Sequence, residues 1–166
     1  MIQKGTVNST NNLVINEVTN FIQNIIKLNI IDIKLEVINS FSNLETPSIT
    51  VAAYIERLLK YFKIEGSTLT ISLIYLIRIC KAGDFKLSKN SFHSSFLISL
   101  ALATKYNEDV HFRNNYYAQI GGVSLETFNS LEREYLNIIN YKLYIKKEEY
   151  TQYSSYLSNL IKSREN

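Results

Sequence analysis

The 166-residue sequence holds one cysteine, one proline and five glycines. A lone Cys80 excludes an intramolecular disulfide and fits a reducing, intracellular setting, nucleus or cytoplasm. So little glycine and proline argues against a long, irregular, loop-rich fold. Excess charge is also scarce: 18 Lys and Arg against 15 Asp and Glu leave a net charge of +3. That is too small and too evenly spread to mark a nucleic-acid or membrane-surface protein. No apolar run reaches the ~20 residues that a membrane span requires. The opening MIQKGTVNSTNN lacks the basic-then-apolar order of a secretory signal. Its Asn, Ser and Thr content reads as a short disordered lead over residues 1–12.

Groups for chemistry are equally few. His93 and His111 lie far apart, and neither has the spacing of a metal pair. No glycine pattern resembles a phosphate loop or a dinucleotide fingerprint. Ser94 and Ser95 follow His93, but contiguity is not the geometry of a triad. Asp84, Glu108 and Asp109 form no paired-carboxylate arrangement, and Cys80, inside an apolar stretch, reads as a small core residue. The expectation is a chain that is not an enzyme, with no cofactor, no metal and no small-molecule substrate.

What is present is helical periodicity. Val14, Val18, Phe21, Ile22 and Ile25 recur at three- and four-residue steps and predict a first helix from near Leu13. Ile33, Val37, Ile38 and Phe41 make a second apolar stripe. Thr46 and Pro47 suit the cap and first position of a new helix, whose face is Val51, Ile55, Leu58, Leu59 and Phe62. Ser67 is placed to cap the next, with Leu69, Leu73, Leu76 and Ile77 as its stripe and Gly83-Asp84 beyond its end. Ser88 is placed to cap a helix whose centre, FLISLALA, is apolar nearly all round and so belongs in the middle of a bundle. A short helix NNYYAQI ends at Gly121-Gly122, with Gly121 expected to take the left-handed conformation. Ser124 then caps a helix with Glu126 in its first turn, Val123 and Phe128 as a staple, and Leu125, Phe128, Leu131, Tyr135 and Ile138 as its stripe. YKLYI alternates as a briefly extended segment would. A last helix carries Tyr150, Tyr153, Leu157, Leu160 and Ile161. With no repeat and no internal linker, the fold class is all-α in one domain.

Two readings attach to the Gly-Gly segment. Ala118, Gly122, Val123, Ser124, Phe128 and Leu131 fall near the small and apolar positions of a DNA-binding helix-turn-helix. Its second helix would carry Glu126, Glu132 and Glu134 against Arg133, and so repel phosphates. The other reading covers far more chain. PSITVAAYIERLLKY, STLTISLIYLIRI, NSFHSSFLISLALATKYNED and FRNNYYAQIGGVSLETFNSLEREYL follow a helix-one tyrosine-and-arginine phrase and three further phrases: Y-[IL]-x-R, A-x-K-[FY]-x-[DE]-D and N-x-x-[FY]-A-x-[IV]-G-G-[IV]-S-x-E-x-[FLM]-N-x-L-E. From Phe41 to Tyr156 the sequence thus resembles a cyclin box, specifically the single-box P/U-type cyclins related to the yeast phosphate-pathway cyclins.

The resemblance implies a five-helix box over residues 41–141, an N-terminal helical extension over 13–40 and a C-terminal helix over 142–166, with too little chain after Tyr141 for a second box. It implies a regulatory subunit that binds a cyclin-dependent kinase and positions its C helix, with no nucleic-acid or membrane partner. A cyclin-fold adaptor without a kinase is the alternative within the fold. Two family residues fall on Lys105 and Glu132, expected to share a kinase-facing surface with Tyr106, Asn107, Asp109 and Glu126 around them. The family's Arg-Asp pair between helices one and two falls on Ser48 and Ile77, so apolar packing is expected to replace it. The family's His-Arg reads His93-Ser94, with His93 taken as structural. The helix-one phrase for docking Arg-x-Leu peptides is absent. Arg133-Glu-Tyr-Leu matches a minimal destruction signal inside an expected packed helix.

Overall fold

A computed structural model describes residues 6–31, 40–42, 47–82 and 85–162, apart from the side chains of 6–13, 28–31 and 160–162. The described residues form α1 (Thr6–Ile31), α2 (Val51–Phe62), α3 (Gly66–Lys81), α4 (Phe92–Asn107), α5 (Asn114–Gly121), α6 (Leu125–Ile138) and α7 (Lys147–Lys162). This is the all-α architecture expected, with α2 to α6 as the five-helix box and α1 and α7 at its two ends. No helix among the described residues is long and apolar enough to cross a membrane. Ile33, Val37, Ile38, Thr46, Gly83, Asp84, Leu160 and Ile161 fall outside the described residues or side chains.

α4 is the centre. Phe92 to Thr104 are all buried, and the helix touches α2, α3, α5 and α6. Three of its hydroxyls cost little in that setting because they turn back onto their own helix. Ser95 donates to the Ser91 carbonyl at 2.7 Å, Ser99 to Phe96 at 3.0 Å and Thr104 to Leu100 at 2.8 Å. Around it α2 buries Tyr54, Ile55, Leu58 and Phe62, α3 buries Leu69, Leu73, Leu76 and Ile79, and α6 buries Phe128, Leu131 and Tyr135. α1 contributes Val18, Ile22 and Ile26, and packs on α2 and α7. Phe41 is buried edge-on against Phe85 and Tyr135. Cys80 faces the core as expected, and burial pushes its thiol up to about 12.

Helix boundaries bring several corrections. α1 starts at Thr6, inside the stretch expected to be a disordered lead and ahead of Leu13. TVNSTNN has weak helix formers but no Gly or Pro to stop a helix that the following stripe nucleates. α2 starts at Val51, after Pro47, and its cap is Thr50, whose Oγ1 accepts from Ala53 N at 3.2 Å. At the head of α3, Ser67 does not cap. Glu108, arriving from the end of α4, takes that place: its Oε1 accepts from Glu65 N at 3.1 Å and Thr68 Oγ1 at 2.5 Å. A carboxylate there also complements the helix dipole. The cap position of α4 is Ser91, not Ser88; Ser88 exchanges hydrogen bonds with Ser91 in the turn ahead of the helix. Ser124 caps α6, accepting from Thr127 N at 3.0 Å. The left-handed glycine is Gly122, with φ 76°, not Gly121. Leu125 is exposed at the mouth of α6, outside the stripe assigned to it.

The positions of the missing Arg-Asp pair carry no charge. Ser48 is exposed and Ile77 is partly buried. The tie between the α2 entrance and α4 comes from His93, 93% buried, whose Nε2 lies 3.2 Å from the Ile49 carbonyl and whose ring meets Tyr54 edge-on at 4.7 Å. Desolvation lowers its pKa, so the neutral ring is the folded form. The unfolded chain therefore binds a proton near pH 6.5 that the folded one resists, and stability is lost as pH falls through that region. The unfolding free energy from urea titrations between pH 5 and 8 should fall on the acid side by at most about 1.4 kcal/mol per pH unit from this group. His93→Gln should flatten that part of the profile; an unchanged profile would remove His93 as its source.

Candidate functional site

The chain Ala103-Thr104-Lys105-Tyr106-Asn107-Glu108 ends α4 under two constraints. Asn107 Nδ2 donates back to the Ala103 carbonyl at 2.8 Å, and Glu108 is fixed on the head of α3. Lys105 sits in the last turn, where a cation also suits the helix dipole. On the other side, α5 and α6 form a helical hairpin. Tyr54 of α2 donates to the Gly121 carbonyl at 3.1 Å, and Val123 N reaches back to the Ala118 carbonyl at 3.0 Å. A Cβ on Gly121 would collide with the Leu97 side chain, so the glycine lets the end of α5 lie directly on α4. Gly122 supplies the positive φ that turns the chain into α6.

This hairpin brings Lys105 and Glu132 together. Lys105 Nζ donates to Glu132 Oε1 at 2.5 Å, and the two side chains are 24% and 16% exposed, neither sealed nor free. The ammonium also lies 5.8 Å from the Phe128 ring centroid. Asn114, the first residue of α5, completes the group: its Nδ2 donates to Glu132 Oε2 at 3.0 Å and to Asn129 Oδ1 at 2.8 Å. Both carboxylate oxygens are thus engaged and the carboxylate plane is fixed. Lys105 has three N–H donors, of which Glu132 takes one.

The remaining expected site residues spread out. Tyr106 is 52% exposed and lines a groove with the α6–α7 connection. Asn107 and Asp109 are exposed just beyond Lys105. Glu126 is exposed beside Leu125, Asn129, Ser130 and Arg133, about a third of a turn round α6 from Glu132. Asn114 was not singled out from the sequence. The available signal was its place as the leading Asn of the NNYYA phrase. The Arg133–Leu136 tetrapeptide lies within α6 with Tyr135 fully buried. Among the described residues no group of His, Cys, Asp and Glu could hold a metal ion.

A ring of helices surrounds a buried central helix, and the partly exposed Lys105–Glu132 pair lies across a glycine hairpin. The cyclin family model matches residues 7–143. The chain belongs to the cyclin family, and within it to the single-box P/U type. The match begins well before Phe41 and so takes in α1 as well as the five-helix box. Among its relatives are Cyclin-U2-1 of Arabidopsis thaliana, 31% identical over 68% of this chain and 51% of that protein, and Cyclin-U4-1 of the same plant, 32% identical over 72% and 60%. PHO85 cyclin-like protein psl1 of Schizosaccharomyces pombe is 34% identical over 70% of this chain and 49% of its own length. The chain spans about half the length of the curated relatives it matches.

Proposed function

We propose that this chain is the regulatory subunit of a cyclin-dependent protein kinase, and that Lys105 and Glu132 are the centre of its kinase-binding surface. The observation that carries the proposal is the Lys105–Glu132–Asn114 cluster, partly open to solvent and braced by three helices. A pre-oriented ion pair of this kind offers a partner backbone fixed N–H donors and a fixed acceptor at little entropic cost. Binding pushes the kinase's C helix inward and sets the kinase's own glutamate against its ATP-binding lysine. Burial of apolar surface and a few charge-assisted hydrogen bonds supply the free energy, and no atom of this chain joins the phosphoryl transfer. Tyr106, Asn107 and Asp109 form the rim; Glu126, on another face of α6, stands outside it. The fission-yeast relative, a PHO85 cyclin-like protein by name, supports the choice of partner.

The test is affinity purification of the tagged chain from cell extract with a histone-kinase assay on the eluate. The unaltered chain should bring down kinase activity. The Lys105→Ala/Glu132→Ala double variant should lose at least about 30-fold of it, corresponding to a hot spot of about 2 kcal/mol, with its helical circular dichroism retained. Equal recovery by the double variant would discard the assignment, and no kinase activity with the unaltered chain would discard the function.

A further inference from the structure

Three of the large apolar side chains left exposed, Tyr106, Tyr141 and Tyr144, line a single groove of about 660 Å3. Lys81, Lys142 and Lys146 stand on the same groove, all exposed. None of these lysines is ion-paired among the described residues, where the salt bridges are Arg78–Glu149 and Lys105–Glu132. The groove's own acid, Glu149, is taken by Arg78 at 2.8 Å, so three ammonium groups remain uncompensated around three aromatic rings.

The wall that carries them is held in place. Arg78 Nη1 donates to the Lys142 carbonyl at 2.5 Å and Nη2 to the Tyr144 carbonyl at 3.0 Å, while Tyr75 donates to the Leu143 carbonyl at 2.8 Å. Asn140 and Tyr141 adopt left-handed backbone, φ 52° and 55°, at a cost of about 1 kcal/mol or more each for residues other than glycine. Side chains of α3 thus fix the segment between α6 and α7 in one shape, with its tyrosines and lysines facing solvent.

We propose that this groove binds an extended acidic segment of a partner polypeptide, the lysines taking its carboxylates and the tyrosines covering its main chain and apolar side chains. Charge complementarity selects the occupant: three unpaired ammoniums favour an anionic chain, and tyrosine supplies broad contact at low entropic cost. A nucleic acid is the poorer fit. Three lysines would release few phosphate counterions, giving a salt slope of only about −2 for a single strand, and Glu149 lies in the groove itself. The proposal does not depend on the kinase reading: neither Lys105 nor Glu132 lines this groove, Tyr106 alone is shared with the rim assigned above, and the lysines and Tyr144 lie outside it.

The purified full chain is titrated by fluorescence anisotropy with a short labelled Glu-rich peptide, its Gln-for-Glu counterpart and an oligo-dT of matched length. The acidic peptide should bind at least about tenfold more tightly than the Gln peptide. Lys142→Glu/Lys146→Glu should abolish that preference, and Tyr144→Ala should weaken binding, with thermal midpoints unchanged. Equal affinity for the two peptides, or an acidic-peptide affinity untouched by the lysine reversals, would overturn the proposal. Preference for oligo-dT, lost in the same variant, would reassign the groove to nucleic acid and overturn it likewise.

Discussion

Replacing Gly121 with alanine is expected to cost about 1–3 kcal/mol of stability, the range for forcing a methyl into a filled core. The new Cβ would overlap Leu97, which is fully buried in α4 and cannot swing aside. No left-handed backbone at Gly121 adds to that cost; in φ and ψ the position tolerates alanine. Gly122 is the opposite case. Nothing lies near its added Cβ, but its φ of 76° makes any L side chain strained, at about 1–2 kcal/mol. The two mechanisms separate in a double-mutant cycle. Leu97→Ala alone costs about 2–5 kcal/mol through its cavity. Combined with Gly121→Ala it should cost less than the sum, because the methyl enters the space vacated; combined with Gly122→Ala it should be additive. Urea denaturation of the five variants reads this directly. Additivity at Gly121 would mean that α5 does not rest on Leu97. Since that contact sets how α6 returns beside α4, the same substitution should also loosen the Lys105–Glu132 pair.

The elements legible in the sequence were those decided by neighbours along the chain. FLISLALA announces the central helix because every face is apolar, and Ser95, Ser99 and Thr104 do not disturb it because they bond to their own helix. Ser124 reads as a cap because its acceptor role is met three residues on. Ser67 misled for the complementary reason: the head of α3 is capped by Glu108, 43 residues away from Glu65 in sequence, and no local pattern encodes that distance. Thr46-Pro47 and Thr50 both satisfy the rules for a helix start, and only the core decides between them. The phrases behind the family resemblance acquire physical content in the same way. Tyr54 holds the Gly-Gly hairpin, and Tyr75 and Arg78 hold the α6–α7 segment. Lys105 and Glu132 were legible through the resemblance alone. Asn114, which makes their geometry rigid, stayed hidden because its partners lie on α6 and come to it only through the hairpin.

Exchanging the two charges, Lys105→Glu together with Glu132→Lys, is expected to preserve the fold and abolish kinase capture. Within the chain the exchange restores an attractive pair at the same place. Asn114 can rotate its amide and present Oδ1 to the ammonium now on α6. The losses are the cation contact with Phe128, about 0.5–1 kcal/mol, and whatever the shorter Glu chain on α4 fails to reach. Each single reversal, by contrast, sets two like charges together in a site only 16–24% exposed, and should lower the melting temperature more than the double does. On the function proposed above, a docked kinase cannot follow the exchange. Groups placed to accept from Lys105 and to donate to Glu132 would meet like charge or like polarity at both positions, which costs several kcal/mol. A loss of at least about 100-fold in affinity follows, beside a melting temperature lowered by only a few degrees. Recovery of full kinase activity on the exchanged variant would make the pair an internal strut of the hairpin. Loss of binding with stability intact would separate docking from folding, which alanine substitutions alone cannot do.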